Sequence, residues 1–218
     1  MSTRESNSLP IPKVAHPRFA AFYNQLMKLA QVQQEFEPLR RELVGQAHGL
    51  VLEVGAGGGQ NFPFYDPARV LQVEAIEPDE TMQGYAERRQ ADAPVSITLT
   101  PAPVEALPFP TAHFDNAVVT LVFCSVQDPV RGLREIGRVL KPGGTLLLLE
   151  HVRAQGKLAA LIQDAMVPLT TRLLGNCHWN RATQQTVLET GFQITQIRQV
   201  GGGLHPMLLI QATWPATA

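Results

Sequence analysis

From Pro17 the chain reads as helix. Phe19, Phe22, Tyr23, Leu26, Met27 and Ala30 recur at helical spacing and make one apolar stripe. Pro38 is expected to break or restart that helix before Gly45. Beyond it, short apolar runs alternate with amphipathic stretches. Strands are expected at about 50–54, 70–77 (VLQVEAIE), 95–100 (VSITLT), 115–122 (DNAVVTLV) and 145–150 (TLLLLE). A helix at about 79–90 takes Asp79 as its N-cap. Another opens at Asp128-Pro129, a cap followed by proline in the first turn. Leu133, Ile136 and Leu140 line one of its faces, and Lys141-Pro142-Gly143-Gly144 stops it. Residues 157–174 are mostly apolar but contain Pro168, so one kinked helix or two short ones would fit.

Strands alternating with helices predict a parallel sheet covered on both faces. The end departs from that rule. Stretches 192–200 and 206–213 are joined by Gly201-Gly202-Gly203 and little else, which suits an antiparallel hairpin. The expected fold is therefore α/β and doubly wound, with an antiparallel last strand. A chain of 218 residues has room for one such domain. Residues 1–15 are expected to be a flexible lead. Residues 16–218 then form a single domain, with a helical cap at 16–45 and a helical lid insertion at 155–181.

A net charge of −1 and the lack of a long basic run argue against a nucleic-acid partner held by phosphate neutralisation. Cys124 and Cys177 give neither a disulfide framework nor a metal-ligand spacing, so no metal is expected and the default compartment is reducing. No signal peptide is visible, and no apolar run approaches the ~20 residues that span a bilayer. These features point to a cytoplasmic protein and leave room for peripheral contact with a membrane.

The most informative residues are VLEVGAGGGQNF, 51–62. A buried strand ends in Glu53, followed by Gly55, Gly57 and Gly59, which is a nucleotide-site layout. The dinucleotide fingerprint needs a third glycine at the sixth position of the loop; here that residue is Gln60. Pro63 and Pro67 also leave little room for the helix that would receive a pyrophosphate. Glu77 ends the second strand, where a carboxylate can bind both ribose hydroxyls; its plainer reading is a solvated strand end.

Several blocks in order resemble the class I S-adenosylmethionine-dependent methyltransferases: Glu53 to Gly59, AIEPDETM around Glu77, VEALPFPTAHFDNAVV at 104–119, and LKPGG at 140–144 followed by TLLLLEHV. Within that family the chain is similar to the methyltransferase type 11 group. GGGQNFPFYDP, TLVFCSVQDPVRGLREIGRVLKPGG and NCHWNRAT resemble the membrane-associated alkyl-thiol methyltransferases and their bacterial relatives. Bacterial phosphatidylethanolamine N-methyltransferases and quinone C-methyltransferases share the common blocks. The resemblance implies a Rossmann-like, seven-stranded sheet and S-adenosylmethionine as methyl donor, with S-adenosylhomocysteine as product. The acceptor it implies is a small, apolar molecule: a thiol by preference, otherwise a lipid amine, quinone or phenol.

The resemblance also implies a site. Glu53, Gly55, Ala56, Gly57 and Asn61 surround the methionine part of the donor, Glu77 and Pro78 the ribose, and Thr120 and Leu121 run beside it. Many members carry an aspartate for the adenine amino group where this chain has Pro103. Adenine is then left to backbone around Val104, Glu105 and Ala106, or to stacking on Met82. The acceptor should approach from Tyr23, Cys124, His151 and the loop of Cys177 and His178. His151 and His178 are candidate general bases; the alternatives are a structural histidine and an exposed loop histidine. Cys124 also reads as a small buried hydrophobe, and Tyr23 as part of the helix's apolar stripe.

Overall fold

The computed structural model describes residues 15–216, so the expected flexible lead lies, except for Ala15, outside the described residues. The strands are β1 (Gly49–Val54), β2 (Val70–Ile76), β3 (Ile97–Thr100), β4 (Phe114–Thr120), β5 (Leu140–His151), β6 (Gln193–Val200) and β7 (Met207–Thr213). They form one seven-stranded sheet in the order β3-β2-β1-β4-β5-β7-β6. The first five run parallel, and β7 pairs antiparallel with both β5 and β6. This is the doubly wound, Rossmann-like arrangement expected, with its C-terminal hairpin.

The alternation of side chains along each strand feeds two cores. Val51, Val73, Ala75, Val118, Leu147 and Leu149 face one side. Helices α2 (Ala30–Val44) and α3 (Glu80–Gln90) cover it with Leu39, Leu43, Val44 and Ala86. Leu52, Val54, Ala117, Val119, Leu146 and Leu148 face the other side, covered by α4 (Pro129–Val139) and α6 (Thr183–Glu189) through Leu133, Ile136, Val139 and Val187. Strands buried on both faces are what parallel pairing between helices requires. Helices α1 (Pro17–Leu26) and α5 (Lys157–Leu173) bury Ala20, Asn24, Ala160, Gln163 and Thr170, none of which belongs to either core.

Three local expectations are corrected. Pro38 breaks nothing: it sits inside α2, and the chain instead breaks between α1 and α2, where Leu29 is extended at φ −65°, ψ 131°. Pro38 removes the hydrogen bond to the carbonyl of Gln34, and both residues are exposed, so water can satisfy that carbonyl while Leu39 and Leu43 pin the opposite face. Leu140 is not a helix-face residue but the extended start of β5. Lys141 binds Asp115 at 2.6 Å rather than serving the helix end. In α5, Pro168 lies within one continuous helix.

Candidate active site

The glycine loop leaves β1 with Gly55, Gly57 and Gly59 all left-handed, at φ +65°, +54° and +79°. A Cβ on Gly55 would lie 2.6 Å from Val122 Cγ2, and one on Gly59 2.8 Å from the Phe62 ring. The loop is thus drawn tight against its own fold. Ala56 N–H is used by Ile76 O at 2.9 Å. Glu77, just past β2, accepts from Gly57 N at 2.8 Å on one oxygen and from Asp79 N at 3.0 Å on the other. A carboxylate has about four acceptor directions, so two remain for a ligand's hydroxyl pair. Burial raises the Glu77 carboxyl from 4.5 to about 7, against the pull of those two N–H donors. Asp79 caps α3 by accepting from Thr81 N and Met82 N, which fixes the buried Met82 beside this strand end. Pro78 bridges Glu77 and Asp79.

Beneath the loop lies a polar layer. Arg40, 5% exposed, donates to Asn61 Oδ1 at 2.6 Å, and Asn61 Nδ2 donates to Thr120 Oγ1 at 3.1 Å. Tyr65 donates to Glu53 at 2.8 Å. Burial raises Glu53 to about 7, opposed by its bonds to Tyr65 and Asn61 and by the charge of Arg40. Glu53 therefore braces the loop from below. Tyr23 reaches into this layer from α1: burial raises the pKa of its hydroxyl, the nearby Arg40 opposes that rise, and Cys124 and Glu77 add to it. Helix α1 is tied down at two further points. His16 N donates to Asp79 at 2.7 Å, and Arg89 joins Asn24 Oδ1, at 3.1 Å, to the carbonyl of Gly58.

The loop after β3 is less direct. Val104 is buried in the core, with its methyls where a Cβ on Gly132 would fall. The Glu105 carboxylate accepts from Gln127 N and Asp128 N, at 3.1 and 3.2 Å, so that side chain ties two loops together.

On the other side of the donor position the chain leaves β4 through Leu121, a non-glycine at φ +58°. Such a residue needs the surroundings to hold it. The holder is Glu150, 0% exposed, whose Oε1 accepts from both Val122 N and Phe123 N, the latter at 2.7 Å. Its Oε2 has no partner, and burial pushes the carboxyl pKa well above its usual range, against the pull of the backbone N–H donors. Cys124 follows and meets the Cys177 thiol; Arg181 donates to Phe123 O. His178 N–H donates to Cys124 O at 2.7 Å, and its ring Nε2 lies 3.3 Å from Asn176 Oδ1. Partial burial and Arg181 lower the His178 pKa. His151 points elsewhere: its ring faces His205 at 6.4 Å, and His205 packs on Trp179 at 4.6 Å. Burial and His205 lower its pKa to about 4, and its Nδ1 has no partner.

The structure thus gathers Tyr23, Asn61, Glu77, Thr120, Leu121, Cys124 and Cys177 around one end of the sheet. This is the carboxyl end of the parallel strands, where open α/β sheets bind ligands. A model of the methyltransferase domain matches residues 52–148. The thiol S-methyltransferase TMT1B of Rattus norvegicus is 32% identical over 77% of this chain and 73% of its own length. The chain belongs to the class I S-adenosylmethionine-dependent methyltransferases.

Other relatives fit the same family. The ubiquinone/menaquinone biosynthesis C-methyltransferase UbiE of Pseudomonas putida is 34% identical over 62% of this chain and 56% of its own length. The structure of an S-adenosylmethionine-dependent methyltransferase from Thermotoga maritima matches the fold with a TM-score of 0.66 at 21% identity, over 90% of this chain and 97% of that one. The donor supplies an electrophilic methyl group on a sulfonium, so the methyltransferase has to bind, orient and exclude water rather than create a reactive group. The residues present fit it. Glu77 keeps acceptor capacity for a ribose diol, and Gln60 Nε2, a buried donor with no partner in the protein, sits at the glycine loop where a methionine carboxylate would lie.

Sequence reasoning missed Arg40, Glu150 and Arg181. Arg40 stands in LRREL and reads as a solvated helix residue. Glu150 ends an apolar run in an acid, just as Glu53 does, and that parallel could have flagged it.

Proposed function

We propose that this methyltransferase transfers the donor methyl to small, apolar thiols. The supporting observation is the electrostatics on the acceptor side. Arg181 stands beside Cys124 and Cys177 as a cation there. A cation in that place favours an anionic thiolate over an ammonium group. The name of the TMT1B relative supports the same acceptor. Tyr23 lies between Glu77 and Cys124 and positions the acceptor against the donor. His151, with a pKa of about 4, is a poor proton acceptor for a thiol, so the acceptor arrives as thiolate and the rate follows the acceptor's own ionisation. The UbiE relative favours quinones as the second reading.

Labelled S-adenosylmethionine offered with alkyl thiols, phenols, quinols and phosphatidylethanolamine is the test. Label should enter the thiols, and the rate–pH profile of a His151→Ala variant should keep the wild-type inflection. Label in the lipid amine alone would overturn the reading.

In this reading α1 is a cap, and the segment from α5 to Arg181 is a lid. They meet where the Phe19 ring occupies the space a Cβ on Gly175 would need, at 2.6 Å. We place the protein in the cytoplasm, at a membrane surface. Leu158, Leu161, Met166, Leu169 and Leu173 run along one exposed face of α5, Leu158 73% exposed, with Lys157 and Arg172 at its ends. An apolar face of this kind lies in a headgroup layer. Among the described residues no helix is long and apolar enough to cross a membrane. Co-sedimentation with phosphatidylcholine vesicles should pellet the wild type and leave a Leu161→Asp/Leu169→Asp variant in solution; wild type that stays in solution would refute membrane contact.

A further inference from the structure

Cys124 and Cys177 are the chain's two cysteines, and 52 intervening residues separate them. The fold nevertheless brings their segments side by side, close enough for each thiol to act on the other's ionisation. Several independent bonds align the two segments. His178 N donates to Cys124 O at 2.7 Å, and Asn176 Nδ2 donates to Ser125 O at 2.9 Å. Arg181 donates to the carbonyl of Phe123, and Thr170 Oγ1 holds Cys177 O at 2.8 Å. The turn before Cys177 carries two consecutive left-handed residues, Gly175 at φ +62° and Asn176 at φ +63°. Asn176 is costly there, and the bond of its side chain to Ser125 offsets the cost. The turn is therefore built to deliver Cys177 to Cys124.

The two sulfurs differ in the way an oxidation pair needs. Cys177 is the more exposed, and the neighbouring Cys124 lowers its pKa from the ordinary thiol value. Cys124 is buried, and the neighbouring Cys177 together with burial raises its pKa. Arg181 stands near both. A partly exposed thiol of lowered pKa next to a second thiol is the arrangement of redox-sensing cysteines. No group of three His, Cys, Asp or Glu that could hold a metal occurs among the described residues, so nothing completes a metal site around the pair.

We propose that Cys124 and Cys177 form a thiol-oxidation site, closed by a hydroperoxide into an intramolecular disulfide that locks the 174–181 turn over the acceptor side. The Cys177 thiolate attacks the peroxide oxygen and becomes a sulfenic acid, and the peroxide's other oxygen leaves as hydroxide or alkoxide and takes up a proton. The Cys124 sulfur then attacks the sulfenic sulfur. The S–S bond forms, the S–O bond breaks, and water leaves carrying the Cys124 proton. The two thiols are oxidised by two electrons and the hydroperoxide is reduced. In the reduced protein the turn is held by hydrogen bonds alone and opens readily; in the oxidised protein it is covalently fixed. The effect on methyl transfer rests on the proposed lid and acceptor path, whereas the chemistry of the pair does not.

The test uses the full chain, reduced and then treated with hydrogen peroxide. Free thiols are alkylated, and the intact protein is weighed without reductant. The expected product has lost two hydrogens, takes up no alkyl group and regains both thiols with dithiothreitol. Hydrogen exchange across 170–181 should slow in that product, and the initial methyl-transfer rate should fall in proportion to the disulfide fraction. Binding of S-adenosylhomocysteine by the reduced protein checks the donor site separately. A Cys177→Ser variant, and independently a Cys124→Ser variant, should form no intramolecular bond and should not slow in exchange. Thiols that stay alkylatable, or Cys177 that proceeds to sulfinic acid without an S–S bond, would overturn the site. A disulfide that leaves exchange and rate unchanged would overturn the lock.

Discussion

A Glu77→Ala variant should bind S-adenosylhomocysteine about a hundredfold more weakly in calorimetry, the ~3 kcal/mol expected of charge-assisted hydrogen bonds to a diol. The residue has two jobs. Its carboxylate directs Gly57 N and Asp79 N, and we propose that its free acceptor directions take the ribose hydroxyls. A Glu77→Gln variant separates them, because the amide keeps one acceptor oxygen and the size of the side chain. It should fold and still lose most of the affinity. Wild-type affinity in either variant would remove Glu77 from the donor site.

The same residue sets a pH dependence. In the ligand-free protein burial raises Glu77 from 4.5 to about 7, so near neutrality a large share of the molecules carries a proton there. A diol that donates to the carboxylate binds the ionised form. Donor affinity should therefore rise from pH 6 to pH 8 by about tenfold, with proton release on binding below pH 7. The Glu77→Gln variant should lose that slope. For folding the sign is opposite to that of a salt-bridged acid. The raised Glu77 and Glu53 contribute stability that is fully present below about 4.5 and is lost as pH rises through about 7. Donor binding should offset that loss at Glu77, so the donor's stabilising effect should be larger at pH 8 than at pH 6.

The donor half of the site was legible because its chemistry is local. A left-handed loop must be written in glycine, and a strand-end acid falls at a fixed distance from it, so residues 51–62 and Glu77 announce themselves. The sheet was legible for the same reason, since doubly buried strands and capped helices leave periodic marks. The acceptor half depends on encounters between distant segments. Cys124 meets Cys177, Tyr23 meets Arg40, and Glu150 holds the turn after β4. None of these pairs has a spacing that predicts it. Local rules misled where tertiary packing outweighed them. Pro38 is a helix breaker by propensity, but its lost hydrogen bond falls on the water side of a helix whose other face is anchored. His151 stands at the strand end the sequence pointed to, and its ring packs toward His205, an encounter no spacing predicts.

A large loss of stability is expected from Gly55→Ala, because two costs add there. An alanine at φ +65° is strained by about 1–2 kcal/mol. Its Cβ would also lie 2.6 Å and 3.0 Å from the two methyls of Val122, an overpacking cost of about 1–3 kcal/mol. Val122 cannot retreat easily. Its β-branched side chain is stiff, and its backbone N–H is bound to the buried Glu150. Denaturant unfolding should therefore show a loss of about 3 kcal/mol for Gly55→Ala. Trimming the obstacle tests the steric share. In a Gly55→Ala/Val122→Ala double variant the clash disappears while the backbone strain stays, so a cycle should return a coupling of about 1–2 kcal/mol. Simple additivity would show that the two do not press on one another. The contact also joins the halves of the candidate site: the glycine loop, proposed to hold the donor, leans on the turn that leads to Cys124. Gly55→Ala should accordingly slow methyl transfer more than it weakens donor binding, a split that equal losses in both would contradict.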